Sequence, residues 1–271
     1  MLKHAILVRL LRSFQRKERG FLFVDTHAGR GRYDLLAASE GASGARTPEW
    51  PEGIGRLWDR ADAPPEVADY LNVVRAYDRA RGNLTPVPRF YPGSPRLARL
   101  VGRPQDRLDL WERQPDEYAA LKDEFLDERR VSVHEADGYT AMRASLPPPE
   151  RRAVVLIDPP FEAQDEWAAV LGALGEGLRR FPGGTYAVWY PLTGRARPDG
   201  FADLLKSKEV SSFRAELVVD PSAPRMTGCG VAVVNPPWRF DDEARAILTY
   251  LAAVLYRGSA AQGEVRWIVS E

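Results

Sequence analysis

The chain has 271 residues, of which 44% are hydrophobic, and its 38 lysines and arginines balance 38 aspartates and glutamates. This length fits one large α/β domain with an insertion or two small domains, and zero net charge neither indicates nor excludes a nucleic-acid partner. No apolar run is long enough to span a bilayer, and the charged N-terminus is unlike a secretory signal. The chain has one cysteine and three histidines, and their spacing matches no metal-binding pattern. We therefore expect a cytoplasmic protein without a metal site.

The first third of the chain predicts a helix, a strand and a long irregular stretch. Residues 4–18 repeat apolar side chains with a helical period, and residues 20–25 form a short aromatic and β-branched run that ends at Asp25. The glycine-containing loop THAGRGRY follows. Residues 38–66 are rich in Gly, Ser, Pro and charge. Two further helices are predicted, at PEVADYLNVVRAYDRA and from PGSPRLARLVG onward.

The remaining two thirds alternate strands with helices. Strands are predicted at 107–112, 131–138, 153–160, 184–191, 215–220, 228–238 and 264–271, and the last helix at 241–257. This alternation predicts an α/β fold of the Rossmann-like type, with a mostly parallel sheet covered by helices on both faces. The last strands have short connections, which predict an antiparallel edge.

Four of the predicted strands end at an acidic residue: Asp25, Glu112, Asp137 and Asp158. Ligands of open α/β sheets bind outside the carboxyl ends of the strands, so we expect these carboxylates to line one crevice. The segment between Asp25 and Glu112 is far longer than one strand and helix require. We therefore predict a single domain over 1–271 with an inserted helical subdomain at 38–92.

The loop after Asp25 resembles a nucleotide-binding turn. Gly29 and Gly31 allow a tight turn and a close approach of backbone to ligand, although a G-x-G pattern alone is weak. Glu112 has the strand order expected of an acid that binds two ribose hydroxyls. The third glycine of the dinucleotide pattern is absent, which disfavours a nicotinamide-dependent oxidoreductase.

The tetrapeptide Asp158–Phe161 predicts chemistry on an amino group. The lone pair of an exocyclic amine is delocalised into its base, and hydrogen bonds to the Asp158 carboxylate and the Pro159 carbonyl would favour a tetrahedral nitrogen. Pro160 restricts Pro159 to extended backbone, and Phe161 offers a ring to a flipped-out base. The alternative is a proline turn that contains an incidental acid.

A second tetrapeptide, Asn235–Trp238, has the same pattern. It ends a late strand outside the regular alternation, and Asp158 follows the other acids in the expected order. We therefore assign the chemistry to Asp158, and expect Trp238 and Trp189 to belong to the core or the crevice wall.

Several longer segments carry a family resemblance. FLFVDTHAGRGRY, YPGSP, ADGY, LIDPPFE, GTYAVWYP, MTGCGVAVVNPPW and VRWIVSE resemble the RlmJ family of 23S ribosomal RNA adenine-N6 methyltransferases, over residues 2–271. The resemblance implies a class I methyltransferase fold, S-adenosyl-L-methionine as cofactor and 23S ribosomal RNA as substrate. Lys3, His4, His27 and Ser94 would hold the methionine portion of the cofactor, Glu112 its ribose, and Asp137 with Gly138 its adenine. Asp158 would accept from the target amino group.

Family members carry a short segment before LKH that helps to close the cofactor site, and this chain begins at Met1 where that segment would join. We expect a start codon assigned downstream of the native one. DNA adenine-N6 methylation, and a cofactor-binding or RNA-binding protein that is inactive without that segment, remain alternatives. We further expect a monomer that acts on protein-poor 23S RNA, since base flipping needs access.

The sequence also contains a cluster of three arginines, Arg96, Arg99 and Arg103, whose spacing places them near one face of a helix. We expect this face either to be solvated or to contact phosphates.

Overall fold

A computed structural model describes residues 1–36, 50–163, 165–256 and 262–270. The strands are β1 Leu22–Asp25, β2 Arg32–Asp34, β3 Phe90–Pro92, β4 Arg107–Glu112, β5 Val131–Glu135, β6 Ala153–Ile157, β7 Thr185–Leu192, β8 Ser212–Val218, β9 Gly228–Val234 and β10 Gln262–Val269. The helices are α1 Leu2–Gln15, α2 Arg56–Trp58, α3 Pro65–Ala80, α4 Ser94–Val101, α5 Pro115–Glu124, α6 Ala141–Ser145, α7 Glu166–Arg180, α8 Ala196–Lys206 and α9 Phe240–Leu255.

Eight strands form one sheet in the order β10-β8-β9-β7-β6-β1-β4-β5. The strands β5, β4, β1, β6 and β7 pair in parallel, whereas the β7–β9, β9–β8 and β8–β10 pairs are antiparallel. The predictions of a mostly parallel α/β sheet and of an antiparallel edge are therefore confirmed.

Each central strand contributes side chains to both faces of the sheet. On β1, Phe23 packs into a core with α1, α3, α4 and α9, while Leu22 and Val24 pack into a second core with α6, α7 and α8. On β6, Val154 and Val155 alternate between the two cores in the same way. This period of two, in strands whose residues are all buried, is what a sheet covered by helices on both faces requires.

The long segment between β1 and β4 is where the sequence predicts an inserted helical subdomain, at 38–92, and that division stays a prediction. The described part includes a π-helical turn at Pro51–Gly55 followed by α2 and α3, while residues 38–49 of the predicted subdomain lie outside the described residues. The sequence did not predict the small antiparallel sheet of β2 and β3, in which Tyr33 pairs with Tyr91. This sheet joins the glycine loop to the end of the insertion.

Four predicted strands are longer than the observed ones, and for two of them the difference moves an acid of the site out of its strand. Strand β5 ends at Glu135 and β6 at Ile157, so Asp137 and Asp158 lie in the loops just beyond their strands. No helix in the described part of the chain is long and apolar enough to cross a membrane.

Candidate active site

The carboxyl ends of β1, β4, β5 and β6 lie side by side and form the floor of a cleft of about 350 Å³. Six residues with predicted cofactor roles line it: His27, Gly29, Glu112, Asp137, Gly138 and Asp158. They come from four different loops, which only the parallel sheet brings together. We call this the donor cleft.

A second cavity, of about 560 Å³, lies next to the donor cleft. Its walls include Lys3 and His4 of α1, Tyr91 of β3 and Trp189 of β7. Asp158 and Pro160 line both the donor cleft and this second cavity, and Pro159 lines the second cavity alone. We call it the acceptor cavity. The two spaces thus meet at the tetrapeptide that the sequence assigns to the chemistry.

The glycine loop is fixed to the end of β4. Gly29 has φ +60°, and its backbone N–H donates to Glu112 Oε2 over 2.8 Å. The N–H of Gln114 donates to the other oxygen, Oε1, over 2.7 Å. A residue with a side chain is disfavoured at Gly29, because its φ is in the left-handed region and the Tyr33 hydroxyl occupies the space of a Cβ. Glu112 is therefore held in one orientation at the cleft.

Gly138 allows the loop after β5 to approach the loop after β1. A Cβ at this position would lie 1.6 Å from the carbonyl oxygen of Thr26, so no other residue fits without moving the backbone. The neighbouring Asp137 carboxylate accepts from the N–H of Tyr139 over 3.0 Å, which turns the chain into a short 3₁₀ helix. Tyr139 in turn donates to Glu166, which also lines the donor cleft.

Asp25 lies beneath both spaces and is fully buried. Burial raises the pKa of its carboxyl to about 7, although the Ser94 hydroxyl and the Lys3 charge act in the opposite direction. Its Oδ1 accepts from the N–H of His27 over 3.3 Å, whereas Oδ2 has no hydrogen-bond partner among the described residues. Ser94 is buried beside Asp25 and lines neither space.

Lys3 forms an ion pair with Asp158 at the junction of the two spaces. Burial raises the pKa of the Asp158 carboxyl, and the positive charge of Lys3 offsets part of that effect. Burial disfavours the charged form of Lys3, but the attraction of Asp158 and Asp25 is larger and raises the pKa of the ammonium. Lys3 is therefore protonated and occupies a hydrogen-bonding position of Asp158.

The two histidines present opposite groups to the site. The Thr26 hydroxyl donates to the Leu156 carbonyl over 3.1 Å, so it accepts from His27 Nδ1, 2.8 Å away. Burial lowers the pKa of His27 to about 4, which keeps the ring neutral. His27 Nε2 consequently carries a lone pair and acts as an acceptor.

At His4 the hydrogen-bond chain runs in the other direction. The fully buried Tyr70 hydroxyl lies 2.8 Å from that of Tyr91, which lies 2.6 Å from His4 Nδ1. With Tyr70 donating to Tyr91 and Tyr91 donating to His4, Nδ1 is an acceptor and Nε2 carries the proton. Burial holds the pKa of His4 well below its usual range. His4 is thus a neutral N–H donor.

Phe161 adopts an uncommon backbone conformation, with φ +54°. Its half-buried ring lies 4.9 Å from the ring of Trp167 and 6.0 Å from that of Trp189, measured between centroids. Phe161 itself is not among the residues that line either space, while Trp189 is. The aromatic cluster thus forms the wall behind Pro160.

The second tetrapeptide, Asn235–Trp238, lies at the opposite end of the sheet, near the amino ends of the parallel strands. Strand β9 is antiparallel to β7, so its end at Val234 pairs with Tyr186 near the start of β7. The Asn235 side-chain amide donates to the carbonyls of Pro182 and Gly184 over 2.7 and 2.8 Å. The assignment to Asp158 agrees with this placement. The expectation for Trp238 is wrong, because its side chain is 73% exposed and far from the crevice.

The three arginines of α4 and the following loop are paired with acids. Arg96 pairs with Glu124 and Glu128, Arg99 with Glu128, and Arg103 with Asp106. These ion pairs differ from the freely solvated helix face that the sequence favours, and a phosphate contact of this cluster stays a prediction.

The sequence did not predict a role in the site for two tyrosines, although the segments that contain them carry the family resemblance. Tyr91 belongs to YPGSP and orients His4, and Tyr139 belongs to ADGY and lines the donor cleft. Among the described residues there is no group of histidine, cysteine and acidic side chains that could hold a metal ion.

The whole chain resembles known proteins. The family model described as "Ribosomal RNA large subunit methyltransferase D, RlmJ" matches residues 18–269. "Ribosomal RNA large subunit methyltransferase J" of Escherichia coli is 40% identical, and that of Haemophilus influenzae 38%, each over 100% of this chain and 95% of the relative. The crystal structure of protein LPL1258 from Legionella pneumophila has 34% identity and a TM-score of 0.86, and covers 98% of this chain and 94% of that one. The chain therefore belongs to the RlmJ family of ribosomal RNA large subunit methyltransferases.

Proposed function

We propose that this methyltransferase transfers a methyl group from S-adenosyl-L-methionine to the N6 amino group of an adenine in 23S ribosomal RNA. One observation carries the proposal: Asp158 and Pro160 line both the donor cleft and the acceptor cavity. An amine bound at Asp158 therefore lies beside whatever occupies the donor cleft. Catalysis by such a site is chiefly positioning.

The polar groups of the site fit the cofactor. The oriented Glu112 carboxylate suits two ribose hydroxyls, and Asp137 with the Gly138 backbone suits an adenine. In the donor cleft, the His27 acceptor suits the ammonium of an amino acid. The donors Lys3 and His4 lie in the wall of the adjoining acceptor cavity and would reach the carboxylate of that amino acid across the junction at Asp158. Ser94 lines neither space and would act through the buried Asp25. When bound, S-adenosylmethionine supplies a methyl group on a positively charged sulfur.

Asp158 prepares the acceptor nitrogen. Its carboxylate and the Pro159 carbonyl would accept from the two N–H groups of the amine, which favours a tetrahedral nitrogen with an available lone pair. The amine replaces Lys3 as the partner of Asp158. The raised pKa of Asp158 suits it to receive the surplus proton of the methylated nitrogen, directly or through water.

The acceptor cavity suits a base that has left its stack. A volume of about 560 Å³ admits a nucleobase with part of its ribose, and Trp189 and Tyr91 in the wall provide aromatic surfaces, while Phe161 packs against Trp189. Because flipping needs access to the nucleotide, we propose protein-poor 23S RNA as substrate and a monomer as the active form, located in the cytoplasm where this RNA is assembled.

A substrate panel tests the proposal. Purified protein and labelled S-adenosylmethionine are incubated with protein-free 23S RNA, assembled large subunits, and duplex and single-stranded DNA, and nucleosides from each reaction are separated. We expect label in N6-methyladenosine from protein-free RNA. Preferential labelling of DNA would contradict the substrate, and cofactor binding without transfer to any polymer would contradict the activity.

A further inference from the structure

A third cleft, of about 650 Å³, opens beside the active site on the small sheet of β2 and β3. Its walls include Arg30, Arg32 and Arg81 together with the rings of Tyr33 and Phe90. It shares no lining residue with the donor cleft or the acceptor cavity. We call it the arginine cleft.

Arg30 pairs with Glu117, and the acid Asp34, which also lines the arginine cleft, pairs with Arg89. The positive charge that exceeds its local compensation is therefore that of Arg32 and Arg81. Arg32 and Arg81 approach the same carboxylate oxygen, Glu124 Oε2, at 3.0 and 3.4 Å, and Arg96 approaches Oε1 at 2.7 Å. The single negative charge of Glu124, whose side chain is 4% exposed, thus faces three guanidinium groups, and Glu128 is itself shared between Arg96 and Arg99.

Convergence of Arg32 and Arg81 on one oxygen also fixes their spacing. Two guanidinium groups that reach the same carboxylate oxygen can both reach one phosphate, which presents several acceptors to their planar N–H groups. Their side chains are 49% and 36% exposed, so their outer N–H groups face solvent.

The arginine cleft lies next to the reacting groups. Tyr33, in its wall, is the direct cross-strand neighbour of Tyr91, in the wall of the acceptor cavity, and such neighbours are about 5 Å apart. The Tyr33 hydroxyl also lies against Gly29 of the donor cleft, and the Lys3 charge acts on its pKa. A strand whose base entered the acceptor cavity would pass over Tyr33.

Aromatic surface accompanies the charge. The Tyr33 side chain is 41% exposed, and the Arg89 guanidinium lies 4.8 Å above the Phe90 ring. Guanidinium groups with exposed rings bind single-stranded nucleic acid through phosphates and stacked bases. We propose that the arginine cleft binds the RNA strand beside the target adenosine, with Arg32 and Arg81 on a phosphate and Tyr33 against a flanking base. This inference rests on the proposed function.

The test compares two double variants with the same change of net charge. Arg32→Gln/Arg81→Gln removes the proposed phosphate contacts but leaves Glu124 paired with Arg96. The control, Arg179→Gln/Arg245→Gln, removes two exposed arginines outside the cleft, at 66% and 53% exposure. Binding of protein-free 23S RNA is measured over a salt series, with cofactor affinity and methyl transfer measured in parallel.

We expect the cleft variant to raise KM for RNA about tenfold with kcat and cofactor affinity unchanged, and to reduce the slope of log affinity against log salt by about 0.7, because one phosphate contact is lost. The control should match the wild type. Tyr33→Ala should weaken RNA binding and Tyr33→Phe should not, because only the ring stacks. Equal salt slopes for the two double variants would overturn the inference. Failure of the wild type to methylate RNA would instead overturn the proposed function, since the binding measurements need no transfer.

Discussion

The tetrapeptides Asp158–Phe161 and Asn235–Trp238 share one sequence pattern and have opposite positions in the fold. Both directly follow a buried strand, and both contain a residue at positive φ, +54° at Phe161 and +50° at Asn235. Asp158–Phe161 follows a parallel strand and faces two cavities. Asn235–Trp238 follows an antiparallel strand, so it lies at the other end of the sheet, where Asn235 bonds to backbone carbonyls. Strand direction, which the tetrapeptide does not encode, thus separates the carboxylate for which we propose a role in the reaction from an amide that bonds to the backbone.

The largest expected effect is the loss of methyl transfer in Asp158→Ala. Removal of the carboxylate leaves the acceptor amine without its partner, so kcat should fall about 10³-fold. Cofactor affinity, measured by calorimetry, should change little because the rest of the donor cleft is intact. A variant with wild-type turnover would refute the assignment of Asp158.

The next effect concerns pH. The Asp25 carboxyl has its ordinary pKa of 3.8 in the unfolded chain and about 7 in the folded protein. Between these values the folded carboxyl holds one more proton, so the contribution of Asp25 to the free energy of unfolding should fall by about 4 kcal/mol as pH rises from 4 to 7. The lowered pKa values of His27 and His4 contribute in the opposite direction below pH 6.5.

Asp25→Asn should remove this contribution, so the free energy of unfolding of the variant should rise more steeply with pH than that of the wild type, as measured by urea unfolding between pH 4 and 8 without cofactor. Asn235→Ala, at the other end of the sheet, should retain the wild-type slope at lower overall stability. Identical slopes for the wild type and Asp25→Asn would contradict a pKa of about 7.

Asn235→Ala should lower stability and spare catalysis. Loss of two hydrogen bonds to backbone carbonyls, at a residue with positive φ, should lower the free energy of unfolding by about 2 kcal/mol. Methyl transfer well below the melting temperature should match the wild type. A fall in kcat comparable to that of Asp158→Ala would place both tetrapeptides in the reaction.

The aromatic residues should show the smallest effects. Phe161→Ala should raise KM for RNA a few-fold, because its ring packs against Trp189, which lines the acceptor cavity, and its loss leaves Trp189 less well placed for a base. Trp238→Ala should change stability by less than about 0.5 kcal/mol and leave kinetics unchanged, because the side chain is largely exposed. Equal kinetic effects of the two substitutions would argue against a role of Phe161 at the substrate.

The sheet could be predicted from the sequence because predicted strands and helices alternate regularly along the chain. Strand β4 and helix α3 begin and end where periodicity and flanking prolines place them, and the acids at strand ends then follow from the common direction of parallel strands. The strands β2 and β3 were missed because each has only three residues and none of the alternation that identifies a strand.

Site residues outside the parallel run were harder to predict. Lys3 and His4 were assigned by resemblance alone, since nothing in a helical period shows that the start of α1 faces the end of β6. The arginines of α4 were misjudged because their partners, Glu124 at the end of α5 and Glu128 just beyond it, come from another segment of the chain. Contacts of this kind depend on tertiary packing, which a local sequence pattern does not predict.

The ion pair between Lys3 and Asp158 affects whether the enzyme can transfer a methyl group to its own lysine. A primary amine beside a methyl donor is itself a candidate for alkylation, and Lys3 lies where the target amine should bind. Its raised pKa keeps the nitrogen protonated, so it has no lone pair with which to attack. We therefore expect the enzyme to remain unmethylated through many turnovers, and an intact-mass measurement that showed added methyl groups on Lys3 would contradict this. The residue that occupies the site between reactions is thus chemically inert toward the reagent beside it.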